Sequence, residues 1–136
     1  ADKPGTMHMD GAQVFNFTLK RVPPLIEGIL AFSDMRAEDV DFLVLHQPNK
    51  YILKNLQRRL GLDDGKLPTG TQSVYGNQNS ASIPGTISGF LADAYAGRQV
   101  RSLLAGFGVG LSWGACTITT DRIFAPPVMT YEETTR

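Results

Sequence analysis

Three polar interruptions stand where apolar runs end, and they hold the residue types that could do chemistry. The first is His46, in Leu43-Val44-Leu45-His46-Gln47-Pro48-Asn49, directly after an unbroken apolar run. Imidazole is the commonest acid–base side chain, and in open α/β sheets ligands gather beyond the carboxyl ends of strands. The same position also suits a structural histidine bonded to a neighbouring loop. The second is Asn77, in Tyr75-Gly76-Asn77-Gln78-Asn79-Ser80-Ala81-Ser82-Ile83-Pro84. Asparagine after glycine commonly turns the chain, because it tolerates left-handed backbone angles. Yet a helix is expected to start just beyond it, where side-chain and backbone N–H groups can converge on a carbonyl oxygen. The third is Gly106-Phe107-Gly108-Val109-Gly110. Its glycines permit close backbone approach and expose N–H donors to an anion or a polarised carbonyl; a plain tight hairpin fits the same pattern. The spacing is not a dinucleotide fingerprint, and no Gly-Lys-Ser/Thr follows to make a phosphate loop.

Other candidates carry less. Cys116 lies in the alternation Ala115-Cys116-Thr117-Ile118-Thr119, with no cation or helix N-terminus nearby in sequence to lower its pKa, and reads as a small buried core residue. His8 reads as a surface residue, and the adjacent Asp63 and Asp64 as a solvated loop without metal-ligand geometry. Thirteen basic and thirteen acidic side chains cancel, so the electrostatic footprint of a nucleic-acid binder is missing. No stretch reaches the roughly 20 apolar residues needed to cross a bilayer, and the first ten residues lack the apolar segment of a signal peptide. A single cysteine provides neither an intrachain disulfide framework nor a cysteine-based zinc site. A cytoplasmic, metal-free domain without a membrane or nucleic-acid partner is the expectation.

The elements that must position these residues follow from periodicity. Residues 1–11 read as an irregular lead-in or as appended residues, 12–124 as the domain and 125–136 as a linker-like or disordered tail. Alternation of Val14, Phe15, Phe17 and Leu19 with polar residues predicts a strand over 12–20. Pro23 and Pro24 then suit the first turn of a helix ending near Ser33, and residues 34–41 form an acidic connector with a short helical turn. Phe42–Leu45 is expected to be a strand buried on both faces. A helix with Ile52, Leu53, Leu56 and Leu60 inside and Lys50, Lys54, Arg58 and Arg59 outside should end at Gly61. Residues 63–82 read as a polar loop too long to lack a task. A helix over 83–96 and strands over 100–106 and 112–123 complete an α/β domain. Its sheet must be mixed, because the last two strands are joined too closely for a parallel crossover.

In this order and register, the three interruptions resemble the carboxy-terminal half of β-ketoacyl-acyl-carrier-protein synthase III enzymes of the thiolase superfamily. Leu43 to Asn49 matches that family's strand ending in His-Gln-x-Asn, Gly76 to Pro84 its Gly-Asn-x-x-x-Ala-Ser-[Ile/Val]-Pro, and Phe107 to Gly114 its Phe-Gly-x-Gly-x-x-Trp-Gly. The similarity runs from about Gly11 to Ile123. It implies the C-terminal half of a thiolase-like fold, with helices packed on a mixed central sheet. It implies an acyltransferase that joins an acyl group, carried from acyl-CoA onto a cysteine, to malonyl-ACP with loss of carbon dioxide, in fatty-acid or related biosynthesis. No tightly bound cofactor is implied. His46 and Asn77 would hydrogen-bond the malonyl thioester carbonyl and stabilise the enolate. The backbone N–H near Val109 would form half of a second oxyanion hole, although Val109 departs from the three-glycine form of many members. Tyr51 stands where many members carry an arginine for the carrier's phosphorylated arm. Lys50, Lys54, Arg58 and Arg59 could still offer a basic face to an acyl carrier protein, or be an ordinary solvated face.

The family's nucleophilic cysteine lies in the amino-terminal half, and neither the lead-in nor Cys116 supplies it. The chain alone is therefore expected not to condense anything. A partner half bearing the cysteine, and a homodimer, are the expected associations, since an isolated half should expose apolar surface. The competing reading is a non-catalytic thiolase-like partner or binding domain. Specialised polyketide or signal-molecule synthases share the motifs, and the acyl chain length is not written in this half.

Overall fold

The computed structural model describes residue 5 and residues 9–63, 65–108 and 110–129. Its first element overturns the strand expected at 12–20: α1 is a helix, Gly11–Phe32. The residues that alternate there also satisfy a helical period, for Thr18, Val22 and Ile26 are buried four apart while Phe15, Leu19, Ile29 and Leu30 pack beside them. Over nine residues the two periods share most positions, and burial against a neighbour decides between them. Asp10 caps the helix by accepting the Gln13 N–H at 3.0 Å, so the helix begins inside the expected lead-in. Pro23 and Pro24 lie in mid-helix rather than in a first turn. Interior proline costs about 3 kcal/mol against alanine on peptide scales. Here Pro23 is buried between the core residues Val22 and Ile26, and tertiary packing outweighs the propensity.

The connector contains the expected short turn, a 3-10 turn at Ala37–Asp39. Strand β1, Phe42–Leu45, leads to helix α2, Lys50–Leu60. Gly61 ends α2 in the left-handed conformation (φ 65°) that glycine adopts without steric cost. The expected long polar loop is broken by a short helix, α3 (Thr71–Tyr75), and by a 3-10 turn at Asn79–Ala81. The segment up to α3 is held from outside: the buried hydroxyls of Thr71 and Thr86 bond at 2.8 Å, and Leu67 is fully buried. The Lys66 carbonyl also accepts the Leu43 N–H at 2.8 Å, which covers the outer edge of β1. The next helix lies where expected but is not uniform. It runs as α4 (Ser82–Thr86), a π turn (Ile87–Leu91) and α5 (Ala92–Gly97).

Strands β2 (Val100–Gly108) and β3 (Ser112–Thr120) form an antiparallel hairpin, and β1 pairs parallel to β2, giving the mixed order β1-β2-β3. The hairpin ladder extends further than expected, pairing Gly106 with Gly114 and Gly108 with Ser112, so Gly106–Gly108 belong to the strand rather than to the turn. Leu43, Leu45, Leu103, Ala105 and Phe107 form one sheet face under α1 and α2. Val44 and Val100 join Leu91 and Tyr95 of the π turn and α5 on the other. Cys116, expected in the core, is exposed. By register it falls on that second face of the edge strand β3, beyond the residues that α4 and α5 cover. After β3 the chain turns back, with the Ile123 N–H donating to the Tyr95 carbonyl at 3.0 Å.

Candidate functional site

His46 follows β1 at its carboxyl end, and its own N–H donates to the Ala105 carbonyl at 2.9 Å, continuing the parallel ladder by one residue. That bond fixes the backbone from which the imidazole projects. The half-buried ring meets Phe107 edge-on, with centroids 5.4 Å apart and planes at 82°. Burial pushes the imidazole below its ordinary 6.5, while a backbone hydrogen bond with Asn79 works in the opposite direction. The net result favours a neutral ring at pH 7.

The residues after His46 divide the work of holding it. Gln47 is fully buried, and its amide donates to the Leu45 carbonyl at 3.2 Å and to the Pro68 carbonyl at 3.0 Å, tying the strand end to the segment over β1. Asn49 accepts the Ile52 N–H at 2.9 Å and caps α2. Sequence reading placed no role on either. For Asn49 the signal was present, since asparagine just before a helical apolar stripe is a standard N-cap.

Asn77 is exposed, and its side-chain oxygen accepts the Asn79 N–H at 2.9 Å. That bond assigns the amide's orientation, because only the oxygen can accept, and it leaves the NH₂ group as the donor end. The left-handed backbone angles of this loop fall on Gly76 (φ 73°) and Asn79 (φ 50°), not on Asn77. The left-handed backbone suggested by the Gly-Asn pair therefore belongs to its neighbours, while Asn77 takes part in the turn through its side-chain oxygen. Through the Asn79 backbone, the loop carrying Asn77 reaches the His46 ring, and Phe107 from the third interruption touches the same ring. Val109, expected to offer a backbone N–H, lies outside the described residues.

Lys50, Lys54 and Arg58 are exposed and spaced by four along α2, so they share one stripe. Arg58 sits in the helix's last turn, where the negative end of the helix dipole favours a cation. Tyr51 is exposed and stacks on Phe15 with centroids 5.1 Å apart. Among the described residues, no three His, Cys, Asp or Glu side chains gather in a way that could hold a metal ion.

Residues 30–120, which hold all three interruptions, match the family described as 3-oxoacyl-[acyl-carrier-protein (ACP)] synthase III, C terminal. The chain belongs to the 3-oxoacyl-[acyl-carrier-protein] synthase III family. A β-ketoacyl-[acyl-carrier-protein] synthase III of Streptococcus sanguinis is 39% identical over 114 residues, covering 82% of this chain and 35% of that protein. The corresponding protein of Lactococcus lactis is 36% identical over 114 residues, with the same two shares. Among solved structures, a 3-oxoacyl-(acyl-carrier protein) synthase from Burkholderia xenovorans superposes with a TM-score of 0.88 at 32% identity, covering 94% of this chain and 37% of that one. A synthase III from Thermus thermophilus gives a TM-score of 0.78 at 28% identity, over 85% of this chain and 36% of its own. The chain thus spans about a third of the length of its synthase III relatives. The architecture is the C-terminal part of their thiolase-like fold.

Proposed function

We propose that this chain is the malonyl-side part of a synthase III that condenses an acyl group with malonyl-ACP. The observation that carries the reading is the meeting of His46, at the end of β1, with the Asn77–Asn79 turn, inside the segment that matches the synthase III C-terminal family. In the proposed step the bond between the malonyl carboxylate and its α-carbon breaks. Carbon dioxide leaves, and the electron pair passes into an enolate whose oxygen was the thioester carbonyl. His46 and the Asn77 NH₂ group donate to that oxygen, and preorganised donors aimed at a developing oxyanion lower its energy. A neutral imidazole carries one N–H, so the reading requires that the ring exchange its bond to the Asn79 backbone for one to the thioester oxygen when the malonyl group binds. The enolate carbon then attacks an acyl thioester formed from acyl-CoA on a cysteine, which leaves as the thiolate.

That cysteine is assigned to the rest of the enzyme, in keeping with a chain spanning about a third of its relatives. Cys116 sits in β3 and makes no part of the site. The Val109 N–H, facing the acyl thioester, belongs to the proposal on the resemblance of Phe107–Gly114 alone. Lys50, Lys54 and Arg58 form the stripe proposed to meet the acidic carrier protein. No tightly bound cofactor enters the scheme. A homodimer and a cytoplasmic setting complete it; an exposed free thiol at Cys116 suits a reducing compartment.

The experiment is malonyl-thioester decarboxylation by this chain combined with the amino-terminal part that bears the cysteine. His46→Ala and Asn77→Ala should each lose on the order of a hundredfold in rate, the usual cost of one oxyanion donor. Variants that turn over at the rate of the unsubstituted pair would remove these roles.

A further inference from the structure

From Ser73 to Ala81 every residue is exposed except Gln78, which stands between Asn77 and Asn79. Its amide runs under α4 to Gly85. A Cβ built on Gly85 would lie 2.5 Å from the Gln78 Oε1 and 3.4 Å from its amide carbon, so the glutamine fills the space a side chain at 85 would take. Gly85 does not adopt the positive φ that favours glycine, and glycine inside a helix is a poorer choice than alanine. Backbone conformation therefore gives no reason for glycine at this position, whereas the seat for Gln78 does. Nor does the glutamine earn its place through a hydrogen bond at that oxygen, because Oε1 is buried without a partner among the described residues.

We infer that Gln78 is a positioning residue, whose amide, seated against Gly85, anchors the turn that carries the Asn77 amide and sets the Asn79 backbone beside His46. The backbone on both sides of it is otherwise held by local bonds, the Asn79 N–H to the Asn77 Oδ1 at 2.9 Å and the Ala81 N–H to the Gln78 carbonyl at 3.0 Å. Those bonds shape the turn locally, and the Asn79 backbone's bond with the His46 ring ties it to the end of β1. Gln78 is the side chain that reaches from the turn into the packed layer.

The inference rests on the reading of His46 and Asn77 as oxyanion donors, and its test is built to fail separately from that reading. The measurement is NMR of the chain, following the His46 ring signals against pH and the Asn77 side-chain amide, with His46 identified by its loss in His46→Gln. Gly85→Ala should melt at or above the unsubstituted temperature, since alanine is the better helix former, while pushing the Gln78 amide out of its seat. The Asn77 amide signals should then move, and the His46 midpoint should rise toward 6.5 as the ring loses burial. Gln78→Ala should produce the same changes without touching the helix. The double variant should move the signals no further than either single one, because both remove the same contact. Unmoved signals in either single variant, or shifts that simply add in the double, would overturn the inference. If Gly85→Ala loses the fold, Gln78→Ala alone decides. Because no turnover is measured, active His46→Ala or Asn77→Ala enzymes would sink the functional reading and leave this result standing.

Discussion

At the scale of single residues, His46 sets how the chain responds to acid. Burial holds its folded pKa below the ordinary 6.5 despite the Asn79 backbone. Between those two values the unfolded chain binds a proton that the folded chain refuses, so stability rises with pH there. The neutral ring's contribution is complete above about 6.5 and is lost as pH falls below it. Asp41 also departs from its ordinary value; partial burial raises it, but the Arg101 N–H and the Arg98 guanidinium together hold it below 3.8. Its protonation thus belongs to a lower window and leaves the region near pH 6 to histidine. Urea midpoints measured from pH 7.5 down to 5 should fall for the unsubstituted chain and fall less for His46→Gln. Parallel curves would show that His46 is not desolvated. The sequence made His46 legible as a residue at a strand end, but not its burial, which depends on Phe107 and the Asn79 turn arriving from 61 and 33 residues away. Val44 and Leu45 announce a strand by their type; nothing in their neighbourhood announces what will cover the next residue.

At the scale of elements, the motif His46-Gln47-Pro48-Asn49 is a strand end, a buried staple and a helix cap in succession. Asn49 carries the cap, and replacing a capping asparagine with alanine costs about 1 kcal/mol. Asn49→Ala should lower stability by about that amount in equilibrium unfolding, and Asn49→Asp should retain most of it. A cap loss also frees the α2 start, which begins four residues beyond His46, so the variant tests whether α2 holds the site in place. In α1 the reverse change is expected. Pro24 is exposed and stands mid-helix, so Pro24→Ala restores an N–H to the ladder without opening a cavity. It should stabilise the chain by about 1–3 kcal/mol, up to the peptide value for proline against alanine. A lower melting temperature in Pro24→Ala would mean that the proline ring is packed or that the helix is bent to suit it. These two elements also mark how far sequence reading reached. Strand β1 and helix α2 were legible because each period stands alone, and Gly61 closes α2 with a residue suited to its φ of 65°. Helix α1 was misread because Phe15, Phe17 and Leu19 alternate while Thr18, Val22 and Ile26 recur by four, and the paired prolines spoke against a helix through them. The π turn at Ile87–Leu91 has no local signature, since it depends on how α4 and α5 meet the sheet.

At the scale of the whole molecule, the sheet is finished on one side only. Face one is closed by α1 and α2, to the point that Ser33 Oγ bonds Thr117 Oγ1 at 2.9 Å and Phe17 meets Trp113 edge-on at 5.4 Å on the edge strand. Face two is covered over β1 and the start of β2 by α4, the π turn and α5, but Cys116 on β3 stays in solvent. Phe90, Val74 and Tyr75 are exposed as well, at 44%, 63% and 41%. This asymmetry explains why Cys116 was misplaced: its alternating strand reads as half-buried, and which half is buried depends on a layer that this chain does not complete. Relatives about three times as long carry the remaining two thirds of the structure. On the proposed reading, part of that remainder lies over face two. The thiol is then a reporter of assembly. A thiol reagent should label Cys116 within the time expected for an exposed cysteine when the chain is alone, and the amino-terminal part of the enzyme should slow the labelling by tenfold or more, about 1.4 kcal/mol of protection by the tenfold rule. Equal labelling rates with and without that part, at concentrations where decarboxylation is restored, would show that the second face of β3 remains open in the assembled enzyme.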